Sequence, residues 1–209
     1  MIRILIADDH SIVRRGIHQI LLEEFPDATI LEVEDAEMLV NKVIASDWDV
    51  VISDLSMPGR SGLDILPQLK QLKPKLPVLI MSIHPEDHYA VRVLKAGASG
   101  YLSKDLAPEE LIIAVKKVLS GKRYITEQVA EKLAAVIENI DNKQNHELLS
   151  DREFSVLKML ASGKSISAIA ESMFLSVNTV STYRSRILIK MNLKNNTDLT
   201  MYSIKNNLI

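Results

Sequence analysis

The chain has 209 residues, no cysteine, 47% hydrophobic and 25% charged residues, and a formal net charge of −2, an ordinary globular composition with length for one large domain or two small ones. The lack of cysteine excludes a disulfide framework and a thiolate metal site, and no apolar run approaches the length of a membrane span. The charge is uneven, however: residues 1–140 carry 16 Lys and Arg against 21 Asp and Glu, whereas residues 148–209 carry 8 against 4, so an acidic front and a basic rear imply two domains, the rear one suited to nucleic acid.

Met1 to Ala7 is too short, and too quickly followed by acid, to read as a signal peptide, so a cytoplasmic protein is expected. Ile2 to Ala7 reads as a short strand ending at Asp8-Asp9, after which Val13, Ile17, Ile20 and Leu21 recur at helical spacing. Ala28 to Val33 is a second strand and Ala36 to Ala45 a second helix. Val50 to Ile52 are apolar and β-branched on both faces, as a strand buried between two helical layers requires. That run stops at Asp54, before Met57-Pro58-Gly59 forces a turn. Leu63, Leu66, Leu69 and Leu72 share one face of a third helix. Leu76 to Met81 is a fourth strand ending at Ser82, and His88 to Ala96 a helix closed by Gly97. Ser99 to Leu102 is a short fifth strand ending near Lys104, and Leu111, Val115, Val118 and Leu119 define a fifth helix stopped by Gly121. Five strand–helix units with short connections predict an α/β fold, a five-stranded doubly wound parallel sheet of the flavodoxin-like kind.

The strand ends then acquire a joint meaning. Asp8, Asp9, Asp54, Ser82 and Lys104 all follow strands, so all five converge on the carboxyl rim where open α/β sheets bind ligands. Three carboxylates repel one another unless a cation sits among them, and hard oxygen ligands with room for water suit Mg²⁺. A carboxylate nucleophile, a metal, a hydroxyl and an ammonium are the parts for receiving a phosphoryl group, which needs mainly alignment and charge neutralisation.

On these residues the first 121 positions resemble the receiver domains of two-component response regulators. The resemblance implies that Asp8 and Asp9 hold Mg²⁺ with Asp54, and that Asp54, in Ser53-Asp54-Leu55-Ser56-Met57-Pro58, accepts phosphate from a cognate histidine kinase. It further implies that Ser82 and Lys104 contact the phosphoryl group and that Tyr101, with Ser82, forms the switch, the aromatic ring turning inward on phosphorylation. Many receivers follow the Lys with a cis proline, whereas Asp105 stands here, which leaves the Lys104–Asp105 peptide open.

The rear of the chain reads as helical. Thr126 begins a helix with Val129, Leu133, Val136, Ile137 and Ile140 on one side, followed by a polar, unpatterned stretch, Asp141 to His146, expected to be mobile. Residues 122–147 are therefore expected as a linker and 148–209 as a second domain. Ser150-Asp151-Arg152-Glu153 is a capping-box signature. A short helix around Ile166 to Met173, a tight turn at Phe174-Leu175-Ser176 and a longer helix to about Met191 make a helix-turn-helix, and a final helix follows from about Thr197. On the longer helix Val180, Ile187 and Met191 point inward, whereas Asn178, Ser181, Thr182, Ser185 and Arg186 point away.

Leu149-Ser150-Asp151-Arg152-Glu153, Ile166-Ser167-Ala168-Ile169-Ala170 and Leu175-Ser176-Val177-Asn178-Thr179-Val180 resemble the four-helix DNA-binding domain of the LuxR/NarL/FixJ class, in particular its BvgA/EvgA branch. Asn178, Thr179, Ser181, Thr182 and Ser185 are candidate DNA-binding residues, with Thr182 and Ser185 placed for bases; Arg184, Arg186, Lys190 and Lys194 are the candidate backbone contacts. Leu199, Tyr202 and Ile204 on the final helix are candidates for dimerisation. The whole resembles a phosphorylation-controlled transcription factor with Mg²⁺, a sensor kinase and double-stranded promoter DNA as partners, and RNA polymerase as a further candidate. It would act as a homodimer, with no membrane association and no enzymatic role. The rival from another class is a Mg²⁺-dependent phosphohydrolase of the haloacid-dehalogenase kind; it places Asp-x-Asp after its first strand and has no use for a basic rear domain. A regulator that binds DNA regardless of phosphorylation is the third reading.

Overall fold

The apolar runs fold as five parallel strands, each followed by a helix, in the computed structural model of the chain, which describes residues 1–83, 86–105, 107–138 and 145–209. Strands β1 (Arg3–Ala7), β2 (Thr29–Val33), β3 (Val50–Asp54), β4 (Val78–Ser82) and β5 (Gly100–Ser103) lie in the order β2-β1-β3-β4-β5. Helices α1 (Ser11–Glu24), α2 (Ala36–Ala45), α3 (Gly62–Leu72), α4 (Glu86–Lys95) and α5 (Pro108–Leu119) make the crossovers. Strands β3 and β4 are buried along their whole length, which is why they read as unbroken apolar runs rather than alternating ones. Ile4, Ile6, Val50, Ile52, Leu79 and Leu102 form one core with Ile17 and Leu21 of α1 and Leu111, Val115 and Val118 of α5. Helices α2, α3 and α4 serve the other face.

The chain divides into two compact units, residues 1–135 and 136–209. Within the first, the residues just past Gly121 are not a bare connector. Tyr124 is buried in the same core, its N–H donates to Ser99 O at 2.8 Å, and it bridges to Gly100 alongside β5. Its hydroxyl donates to Glu110 Oε1 of α5. The next helix, α6 (Glu127–Glu138), buries Val129. The side chains of Val136, Ile137 and Ile140, and residues 141–144 of the expected mobile stretch, lie outside the described residues.

In the second unit α7 (Asp151–Ala161), α8 (Ile166–Ser172), α9 (Val177–Met191) and α10 (Asn196–Lys205) each start at a polar cap. Ser150 and Glu153 form the expected capping box: Ser150 N–H donates to Glu153 Oε2 at 2.8 Å, and Glu153 N–H to Ser150 Oγ at 3.3 Å. Phe154, Val156, Leu157, Ile169, Val180, Ile187, Met191 and Leu199 are its core. Two expectations are corrected here. Asn145–Leu148 is a single 3-10 turn tied to the unit, with Asn145 Nδ2 donating to Met191 O at 3.2 Å and His146 Nδ1 3.0 Å from the Tyr202 hydroxyl. Polar composition concealed it because its partners lie on α9 and α10. Leu199 is fully buried where α10 packs on α7, so it belongs to the domain's own core rather than to a dimer contact.

Candidate functional site

Each candidate residue of the first unit stands on the rim because its strand ends there. β1 delivers Asp8, β3 ends on Asp54, β4 on Ser82, and Lys104 directly follows β5. Asp8, Asp54 and Ser82 are all buried. Lys104 Nζ lies 2.7 Å from Asp8 Oδ2 and 2.9 Å from Asp54 Oδ2, its side chain only 9% exposed. Burial pushes the Asp54 carboxyl above the ordinary carboxylate range, with Lys104 pulling the other way and Asp8 adding to the rise. For Lys104 burial works against the charged form, but the bond to Asp8 and the charge of Asp54 outweigh it and hold the ammonium above its usual range.

Ligand atoms of Asp8, Asp9, His10 and Asp54 all lie within 4.8 Å of one another. Among the described residues, buried Asp8 Oδ2 and Asp9 Oδ1 have no partner beyond the ion-pair contacts of Lys104 Nζ, 2.7 Å from the first, and His10 Nδ1, 2.8 Å from the second. Anionic oxygens with unused lone pairs are the donor set of a hard divalent cation, so these residues fit Mg²⁺. His10 was missed by the sequence reading; a single His beside two Asp carries no spacing signal.

The loop after β3 is set by backbone contacts. Leu55 N–H donates to Met81 O at 2.8 Å and Gly62 N–H to Leu55 O at 2.9 Å. A Cβ on Gly62 would stand 2.3 Å from Asp54 O, so only glycine lets α3 start against the residue that carries the carboxylate.

Ser82 pairs with Ser103 across β4 and β5, and Lys104 N–H donates to Ser82 O at 2.8 Å, which fixes the hydroxyl and the ammonium on neighbouring strands. Tyr101 departs from expectation. It is only 3% exposed on β5, so the ring already lies inside rather than outside. The strand's inward register puts the ring there without a phosphoryl group. No cis peptide occurs among the described residues, so the Lys104–Asp105 bond is trans.

On the second unit, Phe174 takes φ +54° in the turn between α8 and α9, and Ser176 caps α9 by accepting Thr179 N–H at 3.0 Å. Val180, Ile187 and Met191 are buried; Asn178, Thr182, Ser185 and Arg186 are exposed, and Ser181 and Thr179 half-buried. Thr182 and Ser185 hydroxyls donate back to Asn178 O (2.9 Å) and Ser181 O (3.1 Å), leaving oxygen lone pairs outward. Of the candidate backbone contacts, Arg186, Lys190 and Lys194 are exposed and Arg184 is half-buried. Arg184 Nε donates to Asn196 Oδ1 at 2.7 Å, and Lys190 Nζ to Glu153 Oε2 at 2.7 Å. Glu153 is buried, which alone would raise its carboxyl, but Lys190 and the Ser150 cap outweigh burial and hold it below the usual range. Lys190 thus pins α9 to α7. On α10, Tyr202 is half-buried beside His146, and Ile204 is 60% exposed.

Comparison with known proteins adds the following. Residues 4–116 match the response regulator receiver domain, and residues 147–203 the bacterial regulatory proteins of the luxR family. Response regulator UvrY of Escherichia coli K12 is 34% identical over all of this chain and 96% of its own. Oxygen regulatory protein NreC of Staphylococcus epidermidis is 35% identical over 99% of both. Response regulator GacA of Pseudomonas aeruginosa is 30% identical over all of this chain and 98% of its own. Among solved structures, the RcsB response regulator of Salmonella typhimurium covers 97% of this chain and 98% of its own at TM-score 0.60 and 28% identity. Salmonella RcsB bound to a promoter in the presence of the phosphomimetic BeF3− covers 96% and 97% at TM-score 0.59 and 28% identity.

Proposed function

This chain belongs to the two-component response regulators of the NarL/FixJ class, a receiver domain joined to a LuxR-type DNA-binding domain, and on that premise we propose that Asp54 is its phosphoacceptor. Asp8 and Asp9 hold Mg²⁺ together with Asp54, and phosphorylation controls promoter binding as a dimer. The observation that carries the reading is Lys104, whose ammonium stands within 2.9 Å of both Asp8 and Asp54 on one buried rim.

The transfer follows from those positions. An Asp54 oxygen forms the new P–O bond while the donor's bond to phosphorus breaks, P–N in a phosphohistidine and P–O in acetyl phosphate, and the leaving group departs with the electron pair. Lys104 and the Ser82 hydroxyl receive the phosphoryl oxygens, exchanging part of the Lys104 contact with Asp54 for contact with the new group. Mg²⁺, when bound, neutralises charge on those oxygens. Burial disfavours the charged form of Asp54, and the Lys104 ammonium beside it works the other way, favouring the carboxylate that attacks phosphorus.

Partners follow from the same premise. The receiver domain implies a histidine kinase. A solved RcsB complex holds promoter DNA, and two RcsB dimers appear on two parallel DNAs; by likeness, promoter duplex is the target here and the dimer the binding form. Ile204 and Tyr202 remain the α10 residues open to a partner copy. A DNA target goes with a cytoplasmic site of action, and RNA polymerase is the neighbour at a promoter. Among the described residues no helix is long and apolar enough to cross a membrane.

Acetyl phosphate with Mg²⁺ is expected to label the parent protein with one phosphoryl group, and EDTA to abolish the labelling. Undiminished labelling in EDTA would remove the metal from the account.

A further inference from the structure

Asp8 depends for its position on a group of side chains that the transfer itself does not use. We propose that Arg14, Glu32 and His18 form an outer clamp that fixes the metal-binding end of β1, and that Arg14 is a positioning residue for Mg²⁺ capture. The inference rests on the rim being the Mg²⁺ site.

The peptide of Asp8 is held from both ends. Its N–H donates to Val33 O of β2 at 3.2 Å, and its carbonyl accepts from Arg14 Nη1 of α1 at 2.5 Å. Arg14 is itself steered. Its side chain is mostly buried, and Nε, which makes no hydrogen bond, lies 3.5 Å from Glu32 Oε2. The other oxygen of that carboxylate, Oε1, is taken by His18 Nδ1 at 2.6 Å. Glu32 stands next to Val33 on β2, so one strand grips Asp8 twice: directly through Val33 O and indirectly through Glu32 and Arg14.

A plain α1–β2 surface ion pair would leave the guanidinium in water and would not reach the loop. Here Nη1 bonds the Asp8 carbonyl while Nε stays within ion-pair distance of Glu32, a spread of contacts that an ammonium on a flexible stem does not reproduce. Holding the Asp8 carbonyl fixes the direction in which the next bonds leave the strand, and with it the Asp8 carboxylate and the start of Asp9. Outer-shell groups of this kind set metal affinity by keeping the ligands aimed before the ion arrives; removing one costs about 10- to 100-fold.

The test is calorimetric titration of MgCl2 into the full-length protein without any phosphodonor, beside thermal melts in EDTA. Arg14→Met is expected to raise the Mg²⁺ Kd by about 10- to 100-fold. Glu32→Gln, which keeps the shape of the clamp and folds more safely, should fall at the lower end of that range. Arg14→Lys should lie between parent and Arg14→Met, since it keeps the charge but not the fork. Variants that melt lower yet bind Mg²⁺ like the parent would reduce the group to an ordinary ion pair and overturn the clamp. A parent that takes up no Mg²⁺ would overturn the rim as metal site and the clamp with it.

Discussion

Asp54→Asn is expected to take up no label from acetyl phosphate at any Mg²⁺ concentration, because the amide offers no anionic oxygen to phosphorus and Lys104 is left facing Asp8 alone at 2.7 Å. The same variant should be more stable than the parent at neutral pH in EDTA. Burial raises the carboxyl of Asp54 in the folded state above its ordinary value of 3.8, so ionising it costs more folded than unfolded. A group raised in this way contributes most to stability below its unfolded value, and that contribution is lost as pH climbs through the folded value. The gain of Asp54→Asn is therefore absent in acid, opens as pH rises above the ordinary value of 3.8, and levels off above the folded value. Each kcal/mol gained shows as about 2–4 °C in Tm. Thermal melts of both proteins across pH, with labelling by phosphate transfer, measure both effects, and Mg²⁺ should close the stability gap by neutralising the parent's rim.

The second large effect concerns the DNA face. Arg186 is exposed on α9, beside the outward hydroxyls of Thr182 and Ser185. Binding of the full-length protein to duplex DNA should weaken steeply with salt, by about 0.9 in log K per phosphate neutralised for each tenfold rise. Arg186→Ala removes one such contact from each protomer of a dimer, so the slope becomes shallower by about 2 and affinity falls for all sequences alike. Thr182→Ala should leave the slope unchanged and alter site preference, as expected of an uncharged hydroxyl placed to face base edges. Titrations of a duplex selected from a random pool, at several salt concentrations, give slope and preference together.

The contrast between what was and was not legible in the chain has a physical basis. Val50–Ile52 and Leu79–Met81 are continuous apolar runs because both faces of those strands are covered, and a run that stops at Asp54 or Ser82 announces a strand end by itself. The rim residues were readable because parallel topology carries every strand end to one side. The helix caps were readable because Ser150 and Glu153 answer each other three residues apart. What stayed hidden depends on partners distant in sequence. Arg14 and Glu32 look like surface charges on an amphipathic helix and a strand until β2 brings them together. Tyr124 follows Lys122-Arg123 in what reads as linker, yet pairs back onto β5. Tyr101 was expected to turn inward and Leu199 to meet a partner copy, yet packing on β5 and between α10 and α7 has both side chains already inside.

The central claim is that phosphorylation of Asp54 controls a DNA-binding dimer, and sedimentation tests it most directly. The parent and Asp54→Asn are each run with and without acetyl phosphate and Mg²⁺, alone and on a duplex selected by the parent from a random pool. The account predicts that phosphodonor moves only the parent toward a dimer, tightens its DNA binding by about 5- to 150-fold, and leaves Asp54→Asn unmoved. A parent that stays monomeric under every condition, or that binds the duplex equally with and without the phosphoryl group, would contradict it.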